Sequence, residues 1–108
     1  MTPEEYRSQV AGDMSEATLL EKVRRLAREL GYLTYHTHDS RRSEPGFPDL
    51  VLVGHRVIYA ELKRMTGPTR PDQKKWLAAL AAGGAEVHLW RPIDLLDGTI
   101  TAVLTQKD

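Results

Sequence analysis

Residues 46–63 read GFPDLVLVGHRVIYAELK. Two apolar, β-branched runs, 47–53 and 57–63, flank the Gly54-His55-Arg56 triplet, which predicts two antiparallel strands joined by a three-residue hairpin loop. Leu50-Val51-Leu52-Val53 is apolar at every position, the pattern of a strand covered on both faces, so the hairpin belongs in the middle of a sheet. Side chains alternate along a strand: Glu61 and Lys63 share a face with Val57 and Tyr59, while Ile58, Ala60 and Leu62 point the other way. With a three-residue loop Val53 pairs with Val57, and Asp49 then stands opposite Glu61 on the same face. A two-residue loop would turn Asp49 away. The register decides whether two carboxylates and an ammonium meet at one point.

Outward from the hairpin, Leu19, Leu20, Val23, Leu26, Ala27 and Leu30 recur at a helical period before Gly31, which places a first helix at about 15–30. Residues 32–38 suit a strand, and 39–46 form a polar loop rich in helix and strand breakers. After a second loop at 64–70, Pro71 sits where a helix tolerates proline, and Trp76, Leu77, Leu80 and Ala81 make the stripe of a second helix ending at Gly83-Gly84. Residues 86–91 read as a fourth strand, 92–98 as a turn or short helical piece, and 99–105 as an edge strand. Residues 1–14 lack a clear apolar period and read as a flexible lead-in to a single domain over 15–108. The order αβββαβ indicates an α/β sandwich: a central mixed sheet flanked by helices.

Composition narrows the chemistry. The 108 residues include no cysteine, so disulfides and thiolate metal sites are excluded, and a metal would need carboxylate, imidazole, carbonyl or water oxygen and nitrogen donors. No apolar run approaches the ~20 residues that span a bilayer, and the acidic start Met1-Thr2-Pro3-Glu4-Glu5 is unlike a secretory signal, so a soluble, cytoplasmic protein is expected. Net charge is zero, yet residues 22–75 carry 12 Lys/Arg against 6 Asp/Glu while the remainder carries 3 against 9. A basic half gathered on one face would meet a phosphate backbone; scattered over helix surfaces it would be solvated charge.

Asp49 and Glu61 are suited to share Mg²⁺ or Mn²⁺, and Lys63 beside them can orient a water or offset developing negative charge. Taken singly, Glu61 and Lys63 also read as a solvated pair on an exposed strand face, and Asp49 as a turn residue after Pro48. Taken together, Pro48-Asp49 followed by Glu61-Leu62-Lys63 resembles the PD-(D/E)xK nuclease signature. The wider set Gly46-Phe47-Pro48-Asp49-Leu50, Gly67, Gln73, Trp76-Leu77, Leu80 and Gly84 resembles its VRR-NUC branch, the virus-type replication-repair nucleases, over about residues 15–91.

That resemblance implies a restriction-endonuclease-like fold and Mg²⁺- or Mn²⁺-dependent cleavage of DNA, in some members of Holliday junctions and other branched forms. It implies Asp49, Glu61 and the Leu62 carbonyl as metal ligands, Lys63 as the water-positioning residue, Gln73 in the active site and an acid on the first helix. Of the two helix acids, Glu16 is in phase with Leu19 and Leu20, whereas Glu21 falls opposite the apolar stripe, so Glu16 is the candidate; its other reading is a first-turn acid favoured by the helix dipole. Gln73 precedes Trp76 and Leu77 by three and four residues and faces inward. Arg41, Arg42, Arg64, Arg70, Lys74 and Lys75 are candidates for phosphate contacts.

Trp76 and Trp90 lie in apolar patterns and read as core, and Arg24, Arg25 and Arg28 as the solvated side of the first helix. His36, His38 and Asp39 offer too few ligands for zinc. Cutting two strands with so small a domain suggests a homodimer. Two other classes compete: a DNA-binding or assembly module that keeps the fold without cleaving, and a small-molecule metallohydrolase, which would need a deeper pocket than an open strand end provides.

Overall fold

The computed structural model describes residues 1–37 and 44–107. Nine elements follow in order: α1 (Pro3–Asp13), α2 (Glu16–Glu29), β1 (Leu33–His36), β2 (Leu50–Val53), β3 (Val57–Leu62), α3 (Pro71–Ala82), β4 (Glu86–Trp90), α4 (Pro92–Leu96) and α5 (Thr99–Thr105). The strands form one mixed sheet in the order β1-β2-β3-β4, antiparallel except for the β3–β4 pair. The crossover between those parallel strands is α3. The expected αβββαβ frame is present, as a restriction-endonuclease-like fold requires.

Register follows the parity argument. Val53 pairs with Val57 and Leu50 with Ala60, so 54–56 is a three-residue loop and Asp49 comes opposite Glu61. One sheet face carries Leu50, Leu52, Ile58, Ala60 and Leu62, all buried against Leu19, Val23 and Ala27 of α2 and Ile100 and Leu104 of α5. At about 1.5–3 kcal/mol per fully buried aliphatic side chain, this layer is the main source of stability. Helix α2 is held at its start by the Ser15 hydroxyl, which accepts from the Thr18 N–H at 3.1 Å. The opposite sheet face is covered only in part. Helix α3 lies against β4, and Leu33, Tyr35, Val53 and Val57 remain 76, 63, 41 and 44% exposed. The uninterrupted apolar run of β2 therefore has one covered face and one that opens to solvent towards Val53.

Two segments differ from their sequence reading. Residues 1–14 contain the 11-residue helix α1, whose start is a reciprocal box: the Thr2 hydroxyl accepts from Glu5 N–H and the Glu5 carboxylate from Thr2 N–H. Residues 99–105 form α5 in place of an edge strand. The alternating Thr99-Ile100-Thr101 favours a strand locally, but Ile100 and Leu104 are four apart and bury together on the core, and the Leu104 carbonyl accepts from the buried Tyr32 hydroxyl at 2.9 Å. Arg56, in the hairpin loop, fastens this end of the molecule. It donates to both Glu86 carboxylate oxygens, at 2.6 and 3.2 Å, and to the Val103 and Gln106 carbonyls. No helix among the described residues is long and apolar enough to cross a membrane.

Candidate active site

The chain reaches the site through a tight approach. Gly46 has φ +91° and lies so close to α3 that a Cβ there would fall 2.4 Å from the Asp72 carbonyl oxygen, so only glycine fits. The Trp76 indole N–H donates to the Pro45 carbonyl at 3.1 Å, and the Phe47 ring stands edge-on to Trp76 and Tyr59, with centroids 5.2 and 6.2 Å away. Pro48 is fully buried, and the Asp49 carbonyl accepts from Thr37 N–H at 3.1 Å. Backbone on both sides of Asp49 is thus fixed before its side chain does anything. Trp76 is half-buried and acts as a clamp on this loop, while Trp90 is a buried core residue as expected.

Asp49, Glu61, Lys63 and Gln73 are brought together. The Asp49 carboxylate accepts from Leu62 N–H at 2.8 Å, and Glu61 accepts from Asp49 N–H at 3.2 Å. The other Glu61 oxygen accepts from the Gln73 amide and lies 3.8 Å from the Lys63 ammonium. Glu61, Lys63 and Gln73 are only 1, 6 and 7% exposed. The Gln73 carbonyl oxygen accepts from Arg70 N–H at 2.9 Å, which fixes the amide orientation so that its NH₂ faces Glu61. Burial, followed by the repulsion of and hydrogen bond with Asp49, pushes the Glu61 carboxyl up to about 8 from 4.5; Lys63 opposes this without cancelling it.

Two carboxylates with the adjacent Leu62 carbonyl are hard oxygen donors that fit Mg²⁺ or Mn²⁺, ions that keep several waters and need only one or two protein carboxylates. Among the described residues no three His, Cys, Asp or Glu side chains converge, so water would have to complete such a site. A small cleft of about 100 Å³ opens at this point, lined by Glu16, Ala17, Leu20, Asp49 and Leu62. Glu16 therefore reaches the rim of the site from the first turn of α2, while Glu21 is exposed and pairs with Arg25 at 3.4 Å. A larger cleft, about 390 Å³, lies beside Pro45 and Trp76 and away from the carboxylates. Size does not make it the chemical site, because a backbone phosphate is reached at an open strand end.

Arg64, Arg70, Lys74 and Lys75 are exposed around the loop and first turn of α3, with Arg70 3.4 Å from Asp72. Arg41, Arg42, His38 and Asp39 lie outside the described residues; His36 is at the end of β1 and half-buried. Arg91 carries a role that the sequence did not disclose. Its guanidinium donates to the carbonyls of Arg64, Met65 and Gly67, at 2.7, 3.3 and 2.9 Å, and so shapes the loop that leaves Lys63. No spacing rule signals such an arginine, because its partners are main-chain oxygens.

A family model, the VRR-NUC domain, matches residues 5–91. Two solved structures have the same architecture. One, described as a VRR_NUC domain, is 22% identical, superposes with a TM-score of 0.66 and covers 80% of this chain and 94% of its own. Another, described as a VRR_NUC domain protein, is 18% identical, with a TM-score of 0.68 and coverage of 88% and 93%. No curated protein matches the chain. With the family model spanning most of the sequence and the site geometry lying inside that span, the chain belongs to the VRR-NUC nuclease family.

Proposed function

We propose that this protein is a Mg²⁺- or Mn²⁺-dependent deoxyribonuclease that hydrolyses phosphodiester bonds within DNA, with branched forms such as four-way junctions as its preferred substrates. The observation that carries the reading is the buried, hydrogen-bonded set Asp49, Glu61, Lys63 and Gln73. A fold kept only for binding gains nothing from a desolvated glutamate whose proton is held to about 8, and such a group weakens folding at neutral pH. Asp49, Glu61 and the Leu62 carbonyl would hold the ion, which when bound supplies positive charge against the phosphate.

The chain's own groups do the rest. Lys63, beside Glu61 and largely shielded, keeps a directed ammonium where the attacking water and the phosphate oxygens meet, and Gln73 fixes the Glu61 carboxylate from the opposite side. Glu16, at the cleft rim, can accept a proton or hold a water. Arg64, Arg70, Lys74 and Lys75, with Arg41 and Arg42, are the phosphate contacts of this reading. Incubating a labelled four-way junction, a flap and a plain duplex with Mg²⁺ or Mn²⁺, beside Lys63→Ala and Asp49→Ala, tests it. Metal-dependent cutting that both variants lose is the expected result. Binding without cutting under every condition would make the chain a DNA-binding module, and cutting unaffected by either variant would misplace the site.

The active form in this reading is a homodimer. Leu33, Tyr35, Val53 and Val57 form an exposed apolar patch on the partly covered sheet face, the kind of surface that marks an interaction site. The face presents Val, Leu and Tyr side chains, so a second copy meets it without like-charge repulsion. Paired across a two-fold axis, it would form the apolar centre of an isologous interface with a polar rim.

A further inference from the structure

We propose that Arg91 is a positioning residue for Lys63: its side chain fixes the loop after β3 and thereby sets where the Lys63 ammonium stands beside Glu61. The contacts are arranged as a double clamp. Lys63 N–H donates to the Trp90 carbonyl at 3.0 Å, and the next residue, Arg64, gives its carbonyl to the Arg91 guanidinium at 2.7 Å. The pair Trp90-Arg91 therefore grips the pair Lys63-Arg64, once through main chain and once through a side chain. The same guanidinium nitrogen takes the carbonyls of Met65 and Gly67, and Arg91 is itself held by its N–H donating to the Asp94 carboxylate at 2.8 Å.

Fixation matters here because of what lysine is. A flexible four-carbon stem gives up about 2 kcal/mol of rotamer freedom to hold one position. The Lys63 ammonium is 3.8 Å from Glu61, longer than a direct hydrogen bond, so that contact alone does not define its place. A held backbone fixes where the stem starts, and the burial of Lys63 then limits the rotamers that can carry the ammonium from there to Glu61. The far end of the same loop reaches Arg70, whose N–H is bound by Gln73, and Gln73 donates to Glu61. One loop thus connects Lys63 to the amide that orients its neighbour, and Arg91 is the side chain that gives the first half of that loop its shape. Its charge is permanent and its donors are planar and close together, which suits several carbonyls that no strand partner serves.

The kinetic consequence rests on the nuclease reading; the positional one does not. Arg91→Met keeps the apolar stem and removes the donors. In the full chain, proton exchange at the Gly67 amide, which donates to the Arg64 carbonyl at 3.1 Å, should quicken about tenfold, and the Lys63 side-chain NMR resonances should move towards those of a free lysine. Single-turnover cleavage at saturating DNA should slow by about 10–100-fold with DNA affinity nearly unchanged, because the loss is one of alignment. Arg91→Lys, a shorter donor, should recover part of both effects, and it carries the same readouts should Arg91→Met fail to fold. Unchanged Lys63 resonances and Gly67 exchange in a folded variant would overturn the proposal, whereas altered resonances with an unaltered cleavage rate would uphold the positioning and overturn its kinetic consequence. A wild type that cuts nothing while Lys63 responds as stated would uphold the positioning and reject the nuclease.

Discussion

Metal-free protein should lose stability as pH rises from 5 to 8, and Glu61 should be the reason. A carboxyl whose proton is held to about 8 in the folded chain, against 4.5 otherwise, binds more protons when folded than when unfolded between those two values. The sign follows: the stabilisation is fully present below 4.5 and is lost progressively as pH climbs towards 8. Each pH unit costs about 1.4 kcal/mol, so at pH 7 the loss from this group is on the order of 3 kcal/mol. For a domain of this length that is a fall in Tm of about 10 °C or more. Thermal melts in chelator at half-unit steps from pH 5 to 8 measure it, with Glu61→Gln alongside. Glutamine cannot titrate, so its curve should be flatter whatever its absolute Tm. Added Mn²⁺ should raise the wild-type Tm most at high pH, where the ion no longer competes with a proton, and should do little for Glu61→Gln. Parallel wild-type and variant curves would refute the assignment of the raised affinity to Glu61.

Further outcomes are expected elsewhere. Gly46→Ala places a methyl group against the Asp72 carbonyl in a left-handed backbone and should cost about 2–4 kcal/mol by urea unfolding, with loss of the site's arrangement. Arg56→Met leaves Glu86 without its guanidinium, which now holds that carboxyl below its usual range, and should cost about 3 kcal/mol, most of it in the packing of α5. Tyr35→Glu on the open sheet face should convert a sedimenting dimer to monomer with little change in melting, and a wild type that stays monomeric at high concentration would remove the dimer from the picture.

The hairpin was legible because strand parity is discrete: a three-residue loop leaves only one register that puts Asp49 opposite Glu61, and Val53 does pair with Val57. Helical phase was equally direct for Gln73, buried at the site, and for Glu16, set at its rim while Glu21 faces solvent. The ends were harder. Residues 99–105 hold three threonines, an isoleucine and a valine, whose intrinsic preference is extended, and only the packing of Ile100 and Leu104 against α2 reverses it. Residues 1–14 did carry a signal, the Thr2 to Glu5 box with Pro3 between, but a sparse apolar stripe concealed a helix that buries little beyond Ala11. Arg56 and Arg91 were invisible for different reasons: the Arg91 guanidinium binds backbone carbonyls, and a carbonyl has no letter in the sequence, whereas Arg56 reaches Glu86 and the end of α5 across separations that no local pattern relates.

Asp49 and Glu61 are twelve residues apart, and Glu61 and Gln73 twelve again. Short loops close such distances at little entropic cost, so the candidate site is a local assembly inside a fold whose outer helices come from both ends of the chain. Fraying of α1 or α5 leaves the carboxylates and their amide partner in one continuous stretch. That stretch supplies the charged groups, and the chain on either side, through Glu16 at the cleft rim and Trp90-Arg91 on the loop after Lys63, supplies the walls that give them a fixed setting.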